Sequence, residues 1–288
     1  MSSPFRLDGV FTVLPTAFHG GGGLDLAGTA ALARAAVDAK VTGLTVLGVM
    51  GEAAELTEDE RREVVACVHE TASLPVIVGV SGDAASAVER RARDAAASGV
   101  AGLMVSPARS LDLAAAVAAA EAPGLPIVIQ DYPAGSGVSI TMAEIAAAAA
   151  GHPLVVGVKV EAAPTSGRIA SLRASNPDLG LLGGLGGLFL IDELRAGANG
   201  VMTGFALPEH LVSIVETFRT DEAAAAATWE ALLPLMRLEA FQPFSLAARK
   251  EVWRLRGVIE SSHCRRSGAV LDDRARDDVR RAFARVTG

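Results

Sequence analysis

Three observations predict an α/β protein, a (β/α)8 TIM barrel with a C-terminal helical extension. Short β-branched runs alternate with alanine-rich helical windows eight times along the chain, the pattern of parallel strands joined by helical crossovers. After residue 220 the strand-like runs stop and the remainder reads as helix. The length of 288 residues suits one such barrel, for which about 250 residues is typical, with helices added.

In chain order, strands are predicted at 10–14, 43–48, 75–79, 102–106, 126–130, 155–159, 180–183 and 200–203. Among the intervening helices, 57–71 begins with Thr57 and Glu60 at capping-box spacing, and a second is expected over 84–98. Residues 1–220 form the expected barrel. Residues 221–288 are read as an extension of the same domain, because no Pro/Gly/Ser-rich linker separates them. The glycine-rich stretches HGGGG at 19–23 and GGLGG at 183–187 do not match GxGxxG between a first strand and its helix, so they are read as turns. Eight units favour a closed barrel over a doubly wound sheet.

Composition narrows the function classes. Hydrophobic residues make up 50% of the chain, yet no uncharged apolar run reaches the roughly 20 residues that span a bilayer, so a soluble protein is expected. The opening MSSPFRLDGVF lacks the basic and long apolar regions of a secretory signal, which makes a cytoplasmic location the expectation. Cys67 and Cys264 have no paired spacing and read as free thiols. A net charge of −7 offers no basic stripe for a phosphate backbone, which argues against nucleic acid as a partner. No histidine and carboxylate grouping has metal-site spacing, and His152 and His263 fall outside the predicted strand ends. Neither a metal nor a cofactor is expected.

Basic residues are almost all arginine; the only lysines are Lys40, Lys159 and Lys250. Lys40 closes a helical pattern and Lys250 lies in the charged stretch ARKEVWRLR, so both are expected on the solvated surface. Lys159 ends the apolar run PLVVGVK, where an unpaired ammonium would be costly to bury. Barrel chemistry sits at the C-terminal ends of the strands, which directs attention to LGVMGEAAELTEDE, VSPARS, PIVIQDYPAGSG and VVGVKVEAAP after strands two, four, five and six.

These segments, with Pro15 and Asp25 after the first strand, a GxxGE turn at Gly48, Gly51 and Glu52, Pro126 and Pro133 around the fifth strand, and GVK at 157–159, resemble the dihydrodipicolinate synthase and N-acetylneuraminate lyase family. The resemblance covers almost the whole chain. It implies a Schiff-base barrel acting on a 2-oxo acid, with Lys159 in the place of the Schiff-base lysine, and a homo-oligomer, dimer or tetramer.

Departures from the family pattern bear on the reaction. Two threonines of the GxxGE turn are replaced by Val49 and Met50, whose backbone N–H groups remain able to receive a carboxylate but whose side chains can relay no proton. The tyrosine expected at the fifth strand end is Gln130, with Tyr132 two residues later; Gln130 can hydrogen-bond but not titrate. A further relay tyrosine is replaced by Ala108 or Arg109, and the arginine used for the second substrate of dihydrodipicolinate synthases by Gly135, so lysine biosynthesis is not expected.

Glu161 shares a strand face with Lys159 because side chains alternate with period two. Two roles stay open for it: an ion-pair partner of the lysine, or the general acid and base that replaces the lost relay. Tyr132 reads equally as a structural hydroxyl, a stacking surface or a catalyst. Gly184 and Thr203 complete the expected substrate lining. The reading is a lyase, a dehydratase of a 2-keto-3-deoxy sugar acid such as 2-keto-3-deoxypentonate. The alternatives are a pyruvate-dependent class I aldolase and a catalytically silent barrel that binds a ligand.

Overall fold

The computed structural model describes residues 5–288. Eight strands, β1 (Gly9–Val13), β2 (Gly43–Val46), β3 (Val76–Gly79), β4 (Gly102–Val105), β5 (Ile127–Asp131), β6 (Val155–Val160), β7 (Gly180–Gly183) and β8 (Gly200–Thr203), pair in parallel and in chain order, and β8 returns to β1 to close the barrel. Every predicted strand is present. Most end within one residue of the expected bounds, the second stopping two residues earlier because Leu47 already turns into a left-handed conformation (φ 56°).

The helices between strands are α1 (Leu26–Asp38), α2 (Glu58–Thr71), α3 (Ala85–Ala97), α4 (Leu113–Ala120), the single turn α5 (Pro133–Ser136), α6 (Met142–Gly151), α7 (Thr165–Ser175) and α8 (Leu190–Arg195). α9 (Pro208–Phe218) follows β8, and three further helices, α10 (Glu222–Ala240), α11 (Ser245–Leu255) and α12 (Asp273–Thr287), run on from it. Their starts follow from local chemistry. Asp25 caps α1 by accepting from the Gly28 amide, and Thr57 with Glu60 forms the full capping box of α2, an arrangement that contributes about 1 kcal/mol per cap.

Two packed layers position the barrel mouth. Inside it, Phe11, Val13, Ile77, Met104, Val128, Leu182 and Met202 fill the interior, and Gly43 is glycine because a Cβ there would meet the Phe11 ring and the Pro75 carbonyl. Outside it, aliphatic side chains of the strands pack against the apolar faces of the helices. No helix of the described residues is long and apolar enough to cross a membrane.

The C-terminal helices bring charge inward. Ser245 to Trp253 of α11 are buried without a break, including Arg249, Lys250 and Glu251. Lys250 therefore departs from its expected place on the surface. Its ammonium bonds to the Glu52 carboxylate and donates to the His263 carbonyl at 2.8 Å, while sitting 4.4 Å from the centre of the Phe18 ring. Burial pushes Lys250 down from the ordinary lysine range, against the pull of Glu52. The charged composition of ARKEVWRLR concealed this, because the compensating acid lies 198 positions away in sequence. Lys40 is exposed as expected.

Candidate active site

β6 carries Lys159 to the rim of the barrel opposite Gln130 of β5, its partner in the parallel register. The ladder runs on past the strand, where the Glu161 amide donates to the Asp131 carbonyl at 2.9 Å. Period-two alternation then places Lys159 and Glu161 on one face, and Lys159 Nζ lies 3.3 Å from Glu161 Oε2, with both side chains less than a tenth exposed.

Glu161 is held from two more directions. Gln130 Nε2 donates to its Oε2 at 2.8 Å, and the Leu185 amide donates to its Oε1 at 3.3 Å. A buried carboxylate needs such partners to remain charged. Gly184 lies beneath it: a Cβ at that position would overlap the Glu161 side chain. Gly184 thus supports the carboxylate. Thr203, at the end of β8, accepts from the Gly186 amide at 2.9 Å and fixes the loop that bears Leu185.

Lys159, Glu161, Gln130, Leu185 and Thr203 line a cavity of about 130 Å3 together with Val13, Val49, Met50, Tyr132, Gly186, Phe189, Gln242 and Arg249. A second, larger cavity of about 490 Å3 continues toward the ends of β2 to β5; Val49, Gln130 and Tyr132 border both, and Gly48 borders the second. Val49 and Met50 open a single 3-10 turn, whose own geometry leaves their amides without partners in the turn. The Arg266 guanidinium donates to the Val49 carbonyl at 2.6 Å, and the buried Glu52 in left-handed conformation (φ 52°) ends that turn. Lys159, Glu161, Gln130, Tyr132, Val49, Met50 and Thr203 are therefore brought together; Gly48 borders only the second cavity, and Gly184 lines neither but packs against Glu161.

Tyr132, the chain's single tyrosine, begins the α5 turn. Burial, then the nearby Glu161 charge, raises its phenol above the ordinary range. Its ring covers Gly135, where a Cβ would overlap it. The ring and any larger side chain at 135 are thus mutually exclusive, which links two of the departures noted from the sequence. Behind the site Asp131 is buried against Arg168, which bonds it at 2.6 and 2.9 Å; burial pushes its carboxyl up, and Arg168 opposes.

Sequence reasoning missed Arg249, Gln242 and Arg266, all supplied by the segment after α9. In this segment the sequence drew attention to Lys250, through the scarcity of lysine, and to His263 and Cys264, none of which is among these three. Arginines that pair with distant groups leave no local spacing to read.

The site is thus a parallel eight-stranded barrel with a buried lysine at the end of β6 and a carboxylate beside it. The Dihydrodipicolinate synthetase family matches residues 6–285, and the chain belongs to that family. It is 31% identical over 280 residues to L-2-keto-3-deoxyarabonate dehydratase of Azospirillum brasilense, covering 92% of this chain and 89% of that one. It is also 31% identical over 248 residues to 4-hydroxy-tetrahydrodipicolinate synthase of Synechococcus sp. (strain CC9605), covering 82% and 81%. Among solved structures, dihydrodipicolinate synthase from Rhodopseudomonas palustris superposes with a TM-score of 0.91 at 35% identity, over 96% of this chain and 97% of that one.

Proposed function

We propose that the protein is a Schiff-base lyase of short 2-oxo acids and that it dehydrates a 2-keto-3-deoxy sugar acid, such as a 2-keto-3-deoxypentonate. The observation that carries this reading is the Glu161 carboxylate 3.3 Å from Lys159 Nζ, in a site whose neighbouring strand offers Gln130 in place of a titratable group. The dehydratase of Azospirillum brasilense among the relatives supports it.

Lys159 attacks the C2 carbonyl, and loss of water leaves an iminium that acidifies the C3 protons. Glu161 takes one of them, giving an enamine. The enamine then expels the C4 hydroxyl, which leaves as water with the proton returned by Glu161, so that a single residue serves as base and acid. Hydrolysis of the conjugated iminium frees the lysine and leaves a 5-hydroxy-2-oxo-3-enoate, which tautomerises through its dienol to the saturated semialdehyde. Amides of Val49 and Met50 hold the substrate carboxylate, Gln130 and Tyr132 orient the carbon chain, and Gly184 and Thr203 shape the wall near C4.

Aldol cleavage instead needs a base for the C4 hydroxyl, a task for which Gln130, Val49 and Met50 provide no group. The synthases among the relatives keep that alternative open to test. Borohydride trapping with pyruvate should add mass at Lys159 and nowhere in Lys159→Ala. Offered 2-keto-3-deoxypentonates and hexonates, the enzyme should release a dehydrated semialdehyde; pyruvate plus an aldehyde would identify an aldolase, and neither product nor adduct a silent barrel. On the same reading the working form is a cytoplasmic homo-oligomer, a dimer or tetramer, with residues 221–288 part of the barrel domain; light scattering at micromolar concentration reports the oligomer directly.

A further inference from the structure

Arg249 is a guanidinium in an unusual position. Its side chain is 7% exposed, it comes from α11 rather than from a barrel loop, and it borders the same cavity as Lys159 and Glu161. Among the described residues none accepts a hydrogen bond from it. The nearest acid, Glu239, stands 3.6 Å from Nε, beyond hydrogen-bond range, and spends its Oε2 on the Ala206 amide at 3.1 Å. A guanidinium carries five donors and cannot deprotonate, so a buried one without acceptors is left short of partners.

The surroundings are cleared for such a partner. A Cβ at Gly186 would come within 3.3 Å of Nη2, and one at Gly204 within 3.2 Å of Nη1. Glycine at both positions keeps the two ends of the fork unobstructed by neighbouring side chains. Arg249 also lies within electrostatic reach of Glu161 and Tyr132. A substrate bound as an iminium on Lys159, with C3 and C4 within reach of Glu161, must direct its far end along one side of the mouth. Glu161 is held from the β7 side by the Leu185 amide, and Gly186, Gly204 and Arg249 lie next along that wall.

We propose that Arg249 is a specificity-determining residue that grips the oxygen on C5 of the 2-oxo acid, so that the enzyme prefers chains bearing a hydroxyl beyond C4. The inference rests on the Schiff-base reading above. A bond from a charged donor to a substrate oxygen in a buried site favours the acid that carries the oxygen by about 10- to 100-fold, because its absence leaves the donor desolvated and unpaired.

The test measures the concentration giving half-maximal borohydride-trapped adduct for two acids, a 2-keto-3-deoxypentonate and 4-hydroxy-2-oxopentanoate, which differ only in the C5 hydroxyl. Wild-type protein should trap the first at about 10- to 100-fold lower concentration. Arg249→Met should bring the two within about threefold. Because that change removes the cation beside the buried Glu239, the double variant Arg249→Met with Glu239→Gln, which keeps an acceptor for the Ala206 amide, is measured beside it. Preference undiminished in the double variant, or absent from wild type, overturns the assignment while leaving the Schiff-base reading intact. No adduct with either acid in wild type overturns both.

Discussion

Glu161 approaches Lys159 from the next position on the same strand face, and its second oxygen is anchored by a backbone amide. A carboxylate fixed in this way can exchange a proton with a carbon adjacent to the lysine-bound centre without first reorganising. Replacing it by its amide isostere separates the two readings of the pair. Glu161→Gln should lose about 10²- to 10⁴-fold in turnover and still form the borohydride-trapped adduct at Lys159, since general acid and base groups contribute on that scale. Full activity in steady-state assays of the variant would return Glu161 to the role of a mere counter-charge.

Gly184→Ala tests the position of that carboxylate rather than its chemistry. The added methyl overlaps the Glu161 side chain and displaces it from the lysine. A shift of about 1 Å costs on the order of 10²-fold, so kcat should fall by about 10- to 100-fold with the adduct retained. Wild-type kcat in Gly184→Ala would show that the loop yields without moving Glu161.

Lys250→Met concerns stability. The substitution leaves Glu52 fully buried and without its partner ammonium, a situation that costs about 3–5 kcal/mol. Denaturant unfolding should show a loss of this size, and adding Glu52→Gln should recover part of it by removing the stranded charge. Equal stability of the single and double variants would mean that the pair contributes through packing alone.

A fourth expectation concerns pH. Glu193 of α8 is buried behind Gly183 with both oxygens short of well-formed hydrogen bonds, and burial pushes its carboxyl from 4.5 up to about 8, against the opposing pull of the Thr165 hydroxyl. Glu239 is pushed to about 8 as well, again by burial. Between these limits the folded chain holds protons that the unfolded chain has released, so their contribution to stability is greatest below pH 4.5, declines as pH rises toward 8 and levels off beyond. The slope is about 1.4 kcal/mol per pH unit for each group. Glu193→Gln should flatten the fall in melting temperature between pH 5 and 8; an unaltered profile would show that Glu193 is ionised throughout.

The fold was legible because each strand is a short apolar run bounded by turn residues, and eight such runs in parallel order admit few closures. Lys159 and Glu161 were legible for a simpler reason: they are two residues apart on one strand, so local alternation fixes their relation. The contact of Gln130 with Glu161 depends on register between β5 and β6, which Pro126 and Pro133 located only approximately. Lys250 was placed on the surface and Arg249 went unread because burial of a charge is decided by what it meets. Glu52 and Glu239 reach them through the closure of the whole chain, and nothing within the helix marks the side that turns inward.

The pairing of Lys250 with Glu52 also carries a consequence for biosynthesis. As the chain leaves the ribosome, the turn containing Val49 and Met50 emerges with an acid whose counter-ion has yet to be translated. At about 5–20 residues per second the intervening 198 positions take about 10–40 s. During that interval the chain gains its last six strands while the acid beside the mouth stays without its counter-ion. The mouth of the barrel is thus completed late, and a chain cut short before α11 would present a barrel with no keystone.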